Sequence, residues 1–155
     1  MANVGVLGPA QAQAAELTDA YAVGRALAEA GHVVLCGGLG GVMREAARGA
    51  TDAGGTAVGL LPGDDPADGD EHLSVALPTG LGEARNALLV RSCAGFVAVG
   101  GSWGTLSEVA LAVRTGRPVA WLHAWSVTGA GAGSEHLAVL SSPAEAVGWV
   151  AGRLG

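Results

Sequence analysis

The chain has 155 residues, enough for one domain with a single core, and half of them are apolar. Its net charge is −6 at pH 7 and it contains no lysine, which excludes a basic nucleic-acid face, a Walker A phosphate loop and Schiff-base chemistry. Because no apolar run approaches the roughly 18–20 residues of a membrane span and no leader pattern opens the chain, we expect a cytoplasmic protein that binds neither membranes nor nucleic acid.

Strands and helices are predicted to alternate along the chain. Short apolar runs that end in Gly or Pro are typical of buried parallel strands, and stretches with helical spacing lie between them. The predicted strands are 3–7, 32–36, 56–61, 73–77, 95–99, 118–122 and 137–140. The predicted helices are 11–30, 42–53, 82–93, 104–115 and 143–153. This order predicts a single-domain α/β protein with a three-layer Rossmann-like fold, in which a mostly parallel sheet of about six or seven strands has helices on both faces.

Two segments are predicted to be loops. Segment 63–71 contains five acidic residues between Asp64 and Glu71 and no basic partner. It lacks the ligand spacing of a calcium loop, so we predict a solvated loop. Segment 129–133 consists of Gly and Ala alone, which predicts a flexible turn.

The cysteines and histidines show no metal-ligand pattern. Cys36 and Cys93 are far apart in sequence and lie in apolar surroundings, which predicts two buried free thiols. The four histidines do not recur at ligand spacing. We therefore predict neither a metal site nor a required cofactor.

Two glycine-rich turns each follow a buried strand and lead into a helix. Glycine lets a backbone approach a ligand closely, and the following helix presents unpaired amides and a positive dipole end. Both turns fall at the carboxyl ends of predicted strands, where open α/β sheets bind ligands. The dinucleotide fingerprint is absent because Met43 stands where its last glycine would be. Phosphate binding is therefore predicted, with tight turns alone as the alternative, at Gly37, Gly38, Gly40, Gly41, Gly100, Gly101, Ser102, Trp103, Gly104 and Thr105.

Arg85 and Asn86 fall in the first turn of the helix predicted at 82–93, near the same edge of the sheet. A guanidinium at this place suits a phosphate or a ribose hydroxyl. The alternative is a surface salt bridge between Arg85 and Glu83.

Glu108 and Trp103 belong to the second glycine turn and its helix. Glu108 lies four residues after Gly104 and should face back toward the turn, with an ordinary surface carboxylate as the alternative. Trp103 either covers a base, packs on a neighbouring subunit or joins the core.

Together these segments resemble the Lonely Guy family, once widely labelled "possible lysine decarboxylases". The resemblance is carried by a GGxxGxM-type loop at 37–43 and by a glycine loop ending in Gly-Thr-x-x-Glu at 100–108, with Arg85 on the preceding helix. The run at 78–86 looks more like a short bacterial branch related to the molybdenum cofactor carrier protein. The resemblance covers about residues 4–119.

The resemblance implies hydrolysis of the N-glycosidic bond of a nucleoside 5′-monophosphate. The turn at 101–105 would hold the phosphate, Glu108 would bind the ribose hydroxyls and stabilise the transition state, and Arg85 would position the substrate. Gly8 and Met43 would belong to the same nucleotide site. The family also implies a homodimer, or a tetramer, with sites near the subunit interface.

Two other functions stay open. The first is a non-catalytic binding or carrier protein for a nucleotide or the molybdenum cofactor, which would use the same loops without needing Glu108. The second, ranked last, is a ligand-sensing domain. A true lysine decarboxylase is excluded because the chain has no lysine.

Overall fold

The computed structural model describes residues 1–129 and 134–155. Within them, seven strands form one sheet with the order β4-β3-β2-β1-β5-β6-β7, and every neighbouring pair is parallel. The strands are β1 (Asn3–Leu7), β2 (Val33–Cys36), β3 (Ala57–Leu61), β4 (Val75–Pro78), β5 (Gly95–Val99), β6 (Val119–Leu122) and β7 (Leu137–Val139). The helices are α1 (Ala14–Glu29), α2 (Val42–Asp52), α3 (Arg85–Ser92), α4 (Trp103–Arg114) and α5 (Pro143–Ala151).

Helices cover both faces of the sheet, so the core has two parts. One part packs α1, α2 and α5 on side chains such as Val97 and Val99. The other packs α3 and α4 on side chains such as Phe96 and Ala98. Successive side chains of β5 therefore enter opposite parts of the core, as expected of a strand that is buried on both faces. The predicted three-layer fold class is therefore confirmed, and the described sheet is wholly rather than mostly parallel.

Several predicted boundaries need correction. The first helix begins at Ala14 and not at residue 11, because the Gln13 amide donates to the Glu16 carboxylate (3.0 Å) and Gln13 is extended. The fourth strand begins at Val75, two residues later than predicted, and includes Pro78, which an edge strand tolerates because no further strand needs its amide.

The helix predicted from residue 82 also begins later than expected. A short 3-10 turn at Gly82–Ala84 precedes it, and the α-helix begins at Arg85. This late start places the Arg85 side chain at the edge of the sheet. The predicted turn at 129–133 lies outside the described residues except for Gly129, whose φ is +77°.

Both cysteines are buried and free, as predicted. Burial raises the pKa of Cys36 to about 11 and that of Cys93 to about 12, so both remain neutral thiols at physiological pH. Among the described helices, none has the length and apolar character to cross a membrane.

Candidate functional site

A small pocket lies at the carboxyl ends of the central strands. β1 pairs with β2 on one side and with β5 on the other, so the strand order reverses at this point. Open α/β sheets bind ligands in the crevice at such a reversal. The pocket, here called the switch-point pocket, measures about 160 Å³. Its lining residues are Val6, Leu7, Gly8, Pro9, Ala10, Gly37, Met43, Arg85, Ser102, Gly104, Thr105 and Glu108.

The structure brings part of the predicted site together in this pocket. Gly8, Gly37, Met43, Arg85, Ser102, Gly104, Thr105 and Glu108 all line it. Asn86 and Trp103 instead line a larger groove between α3 and α4, which shares Gly104 with the pocket. The remaining predicted glycines lie outside both linings, and their contribution to binding stays a prediction. They are Gly38, Gly40, Gly41, Gly100 and Gly101.

The start of α4 forms one wall of the switch-point pocket. Ser102 caps the helix, since its hydroxyl accepts from the Thr105 amide (3.1 Å) and lies 3.0 Å from the Thr105 hydroxyl. The Thr105 amide is therefore already satisfied, which leaves the amides of Trp103 and Gly104 without a partner in the described part of the chain. Of these two residues Gly104 lines the pocket, and its amide together with the helix dipole makes this wall electropositive.

Arg85 supplies the only cationic side chain among the residues that line this pocket in the described chain. Its Nη1 atom donates to the carbonyls of Gly37 (2.7 Å) and Leu60 (2.6 Å), and its Nε atom donates to Asn86 (3.0 Å). Arg85 thus ties the ends of β2 and β3 together instead of forming the salt bridge with Glu83 that the sequence left open. Nη2 has no partner within the described residues and is available to a ligand.

Glu108 faces the pocket from α4, as its spacing from Gly104 predicts. Partial burial raises the pKa of its carboxyl to about 7, and the nearby Arg85 guanidinium opposes this rise. At neutral pH the carboxyl is therefore about half protonated. In its protonated form the carboxyl can lie beside a phosphate and can also donate a hydrogen bond to it.

Residues 64–68 of the acidic segment 63–71 are exposed, as a solvated loop requires, but the expectation that the segment has no basic partner is wrong. Arg44 at the start of α2 contacts Asp70 (3.6 Å) and Glu71 (3.3 Å). The Asp70 side chain is only 9% exposed, and its backbone amide donates to the Gly38 carbonyl (2.9 Å). Because Arg44 lies far from these carboxylates in sequence, only the tertiary fold reveals the pairing.

Sequence reasoning did not identify Trp125, which follows β6 on an irregular segment. Its indole packs directly on Gly101, so a Cβ at that position would overlap the ring. It also meets the Trp103 ring edge to face, with the ring centroids 5.2 Å apart and the planes at 87°. The available sequence signal was a tryptophan a few residues beyond the carboxyl end of a predicted strand.

We expect different effects on stability from two Gly→Ala substitutions in the first glycine turn. A Cβ at Gly37 would lie 2.6 Å from Arg85 Nη1 and 2.8 Å from Met43 Sδ, whereas at Gly40 the nearest atom is the Ala10 carbonyl oxygen at 3.9 Å. Gly37→Ala should therefore destabilise the protein by about 1–3 kcal/mol through overpacking. Gly40→Ala should be neutral or stabilising by up to about 1 kcal/mol. Urea unfolding measures both, and equal effects would contradict the described packing around Arg85.

Comparison with known proteins gives a consistent set of relatives. The model of the SLOG cluster4 family matches residues 1–147. An uncharacterized protein of Archaeoglobus fulgidus is 37% identical over 147 residues, which cover 95% of this chain and 93% of that protein.

Two similar solved structures are of proteins named for the molybdenum cofactor. The molybdenum cofactor binding protein of Rippkaea orientalis has a TM-score of 0.91 and 35% identity, with coverage of 97% of this chain and 95% of that chain. The molybdenum cofactor carrier protein of Chlamydomonas reinhardtii has a TM-score of 0.86 and 34% identity, with coverage of 98% and 97%.

Proposed function

The chain belongs to the SLOG cluster4 family, and we propose that it is a binding or carrier protein for a phosphate-bearing, nucleotide-like ligand of the molybdenum cofactor class. One observation carries the proposal. Arg85, whose Nη2 atom has no partner among the described residues, and Gly104, whose amide at the start of α4 is unpaired there, both line the switch-point pocket. Charge-assisted hydrogen bonds from a guanidinium and from helix amides are the usual means of holding a phosphate.

The donor set of the pocket fits the proposed ligand. The molybdenum cofactor is a pterin that carries a phosphate, and the phosphate is the part that these donors match. The two solved relatives named for this cofactor support this choice of cargo. In this function the cofactor is transported, and the chain's own residues do no chemistry on it.

The proposal is tested by what the purified protein carries and by what it binds. Native mass spectrometry on protein from a host that makes the molybdenum cofactor should show a bound pterin phosphate. Titration calorimetry with GMP, AMP and ribose 5-phosphate should show binding of phosphate compounds, and each should raise the melting temperature. A protein that is purified empty and binds none of these compounds would refute the proposal.

Hydrolysis of a nucleoside 5′-monophosphate is the second candidate function. The observation that favours it is the Glu108 carboxyl, whose pKa of about 7 suits a general acid or base and which shares the pocket with Arg85. The test is incubation with AMP, GMP and CMP, followed by chromatography that detects free base. If the wild type releases no base, this second function is refuted, and if Glu108→Ala releases as much base as the wild type, the catalytic assignment of Glu108 is wrong.

We further propose that the chain is one domain and acts as a cytoplasmic homodimer. Leu81 and Leu88 are 51% and 39% exposed, and association of two copies would bury apolar surface of this kind. Light scattering on a sizing column should give a dimer mass. Leu88→Glu should shift the protein toward monomer, whereas a wild-type monomer at micromolar concentration would contradict the assignment.

A further inference from the structure

The switch-point pocket is too small for a whole nucleotide-like ligand. Its volume is about 160 Å³, whereas pockets for small organic ligands span roughly 300–1,000 Å³. The pocket can therefore take the phosphate and the atoms next to it, and the rest of the ligand must lie outside. Two neighbouring depressions are available. One is the groove of about 650 Å³ that shares Gly104, and the other is a hollow of about 420 Å³ that shares Ala10.

The two depressions differ in chemistry. The groove has Trp103 at its rim, with Asn86 on its α3 side. The hollow beside Ala10 is lined by no aromatic side chain in the described residues, and its charged groups are Arg44 and Glu45. A flat heteroaromatic ring would bind in the groove and not in the hollow, because the Trp103 indole can stack on any base.

Trp103 is both exposed and held in place. It is the first residue of α4 and its side chain is 78% exposed, which is unusual for so large an apolar group. Trp125 is 38% exposed, rests on Gly101 and meets the Trp103 ring at 87°. This contact restricts rotation of the Trp103 indole and still leaves most of its surface free.

Asn86 adds a directed polar group on the opposite side of the same groove. Its side-chain oxygen accepts from Arg85 Nε (3.0 Å), which fixes the orientation of the amide. The amide nitrogen has no partner among the described residues and can donate to an acceptor on a ring edge.

We propose that Trp103, positioned by Trp125, stacks on the fused heteroaromatic ring of the ligand in the α3–α4 groove, while the phosphate occupies the switch-point pocket. The inference rests on the proposed function and adds the placement and the class of ring, a purine or a pterin. It makes Trp103 a specificity-determining residue and Trp125 a positioning residue.

Calorimetric titration with GMP and with ribose 5-phosphate tests the placement, because only GMP carries a ring. We expect GMP to bind wild type at least about tenfold more tightly than ribose 5-phosphate. Trp103→Ala should lower the affinity for GMP about tenfold, and Trp125→Ala should lower it a few-fold. Both variants should bind ribose 5-phosphate with the wild-type affinity. GMP should also quench tryptophan fluorescence in wild type, and much of that quenching should be lost in Trp103→Ala.

Two further variants serve as controls. Trp149→Phe removes a tryptophan of α5 whose ring lies against Arg153, so it should change the affinity for neither compound. Arg44→Ala alters the hollow beside Ala10 and should leave GMP binding unchanged. The inference is overturned if ribose 5-phosphate binds normally and Trp103→Ala nevertheless binds GMP with the wild-type affinity. It is also overturned if Arg44→Ala, and not Trp103→Ala, lowers the affinity for GMP. If neither compound binds wild type, the proposed function fails and the inference fails with it.

Discussion

Arg85→Ala is expected to weaken the binding of GMP and of ribose 5-phosphate by at least about 100-fold. The pocket loses the one guanidinium among its described lining residues, and the half-protonated Glu108 then faces the phosphate without a counter-charge. Calorimetry measures the loss. Arg85→Lys should bind with intermediate affinity, because an ammonium keeps the charge but cannot bridge two strand ends and a ligand at once.

The same substitution should also lower the free energy of unfolding by about 2–3 kcal/mol. Nη1 donates to the Gly37 and Leu60 carbonyls, and its removal leaves both acceptors at the strand ends without this donor. Arg91→Ala is the matched control, because Arg91 lies on the same helix and its side chain is exposed. Arg91→Ala should change stability by less than about 0.5 kcal/mol. If Arg85→Ala behaved like Arg91→Ala in urea unfolding and in calorimetry, the assigned role of Arg85 would be wrong.

The order of elements could be predicted from sequence because each element has a local cause. Strands such as Asn3–Leu7 and Gly95–Val99 are short apolar runs flanked by turn residues, and the structure places them within the predicted limits. The start of α3 could not be predicted, because Gly82–Ala84 first forms a 3-10 turn and the competing turn geometries differ little in local propensity.

The candidate site was predictable only in part. The glycine turns and Glu108 follow from spacing along one helix or one turn, and spacing is visible in a sequence. Arg85 was predicted to lie at the site, but its bonds to Gly37 and Leu60 join residues that are distant along the chain. Trp125 belongs to an irregular segment with no periodic pattern, so only the tertiary packing on Gly101 reveals its place.

Glu108→Gln is expected to stabilise the protein by about 2 kcal/mol at pH 8 and to have little effect at pH 4. The folded-state pKa of Glu108 is raised to about 7, mainly by burial. Below about pH 4.5 both the folded and the unfolded carboxyl hold a proton, so the raised pKa costs no stability. Between about pH 4.5 and 7 the unfolded state releases its proton first, so stability falls as pH rises, and above about pH 7 the loss is complete. Urea unfolding of both proteins across this range measures the difference.

The same substitution should change how ligand affinity depends on pH. In wild type, ionisation of Glu108 above about pH 7 brings a negative charge to the pocket that holds the phosphate, so affinity for ribose 5-phosphate should fall between about pH 6.5 and 8.5. Glu108→Gln keeps the shape without the charge and should bind with nearly constant affinity there, since the ligand, whose own pKa is about 6, is mostly ionised across this range. Glu83→Gln, which changes an exposed carboxylate in the groove, should keep the wild-type pH profile. A wild-type affinity that stays constant from pH 6.5 to 8.5 would show that no phosphate approaches Glu108. A negative charge that develops beside a bound dianion must weaken the binding of that dianion.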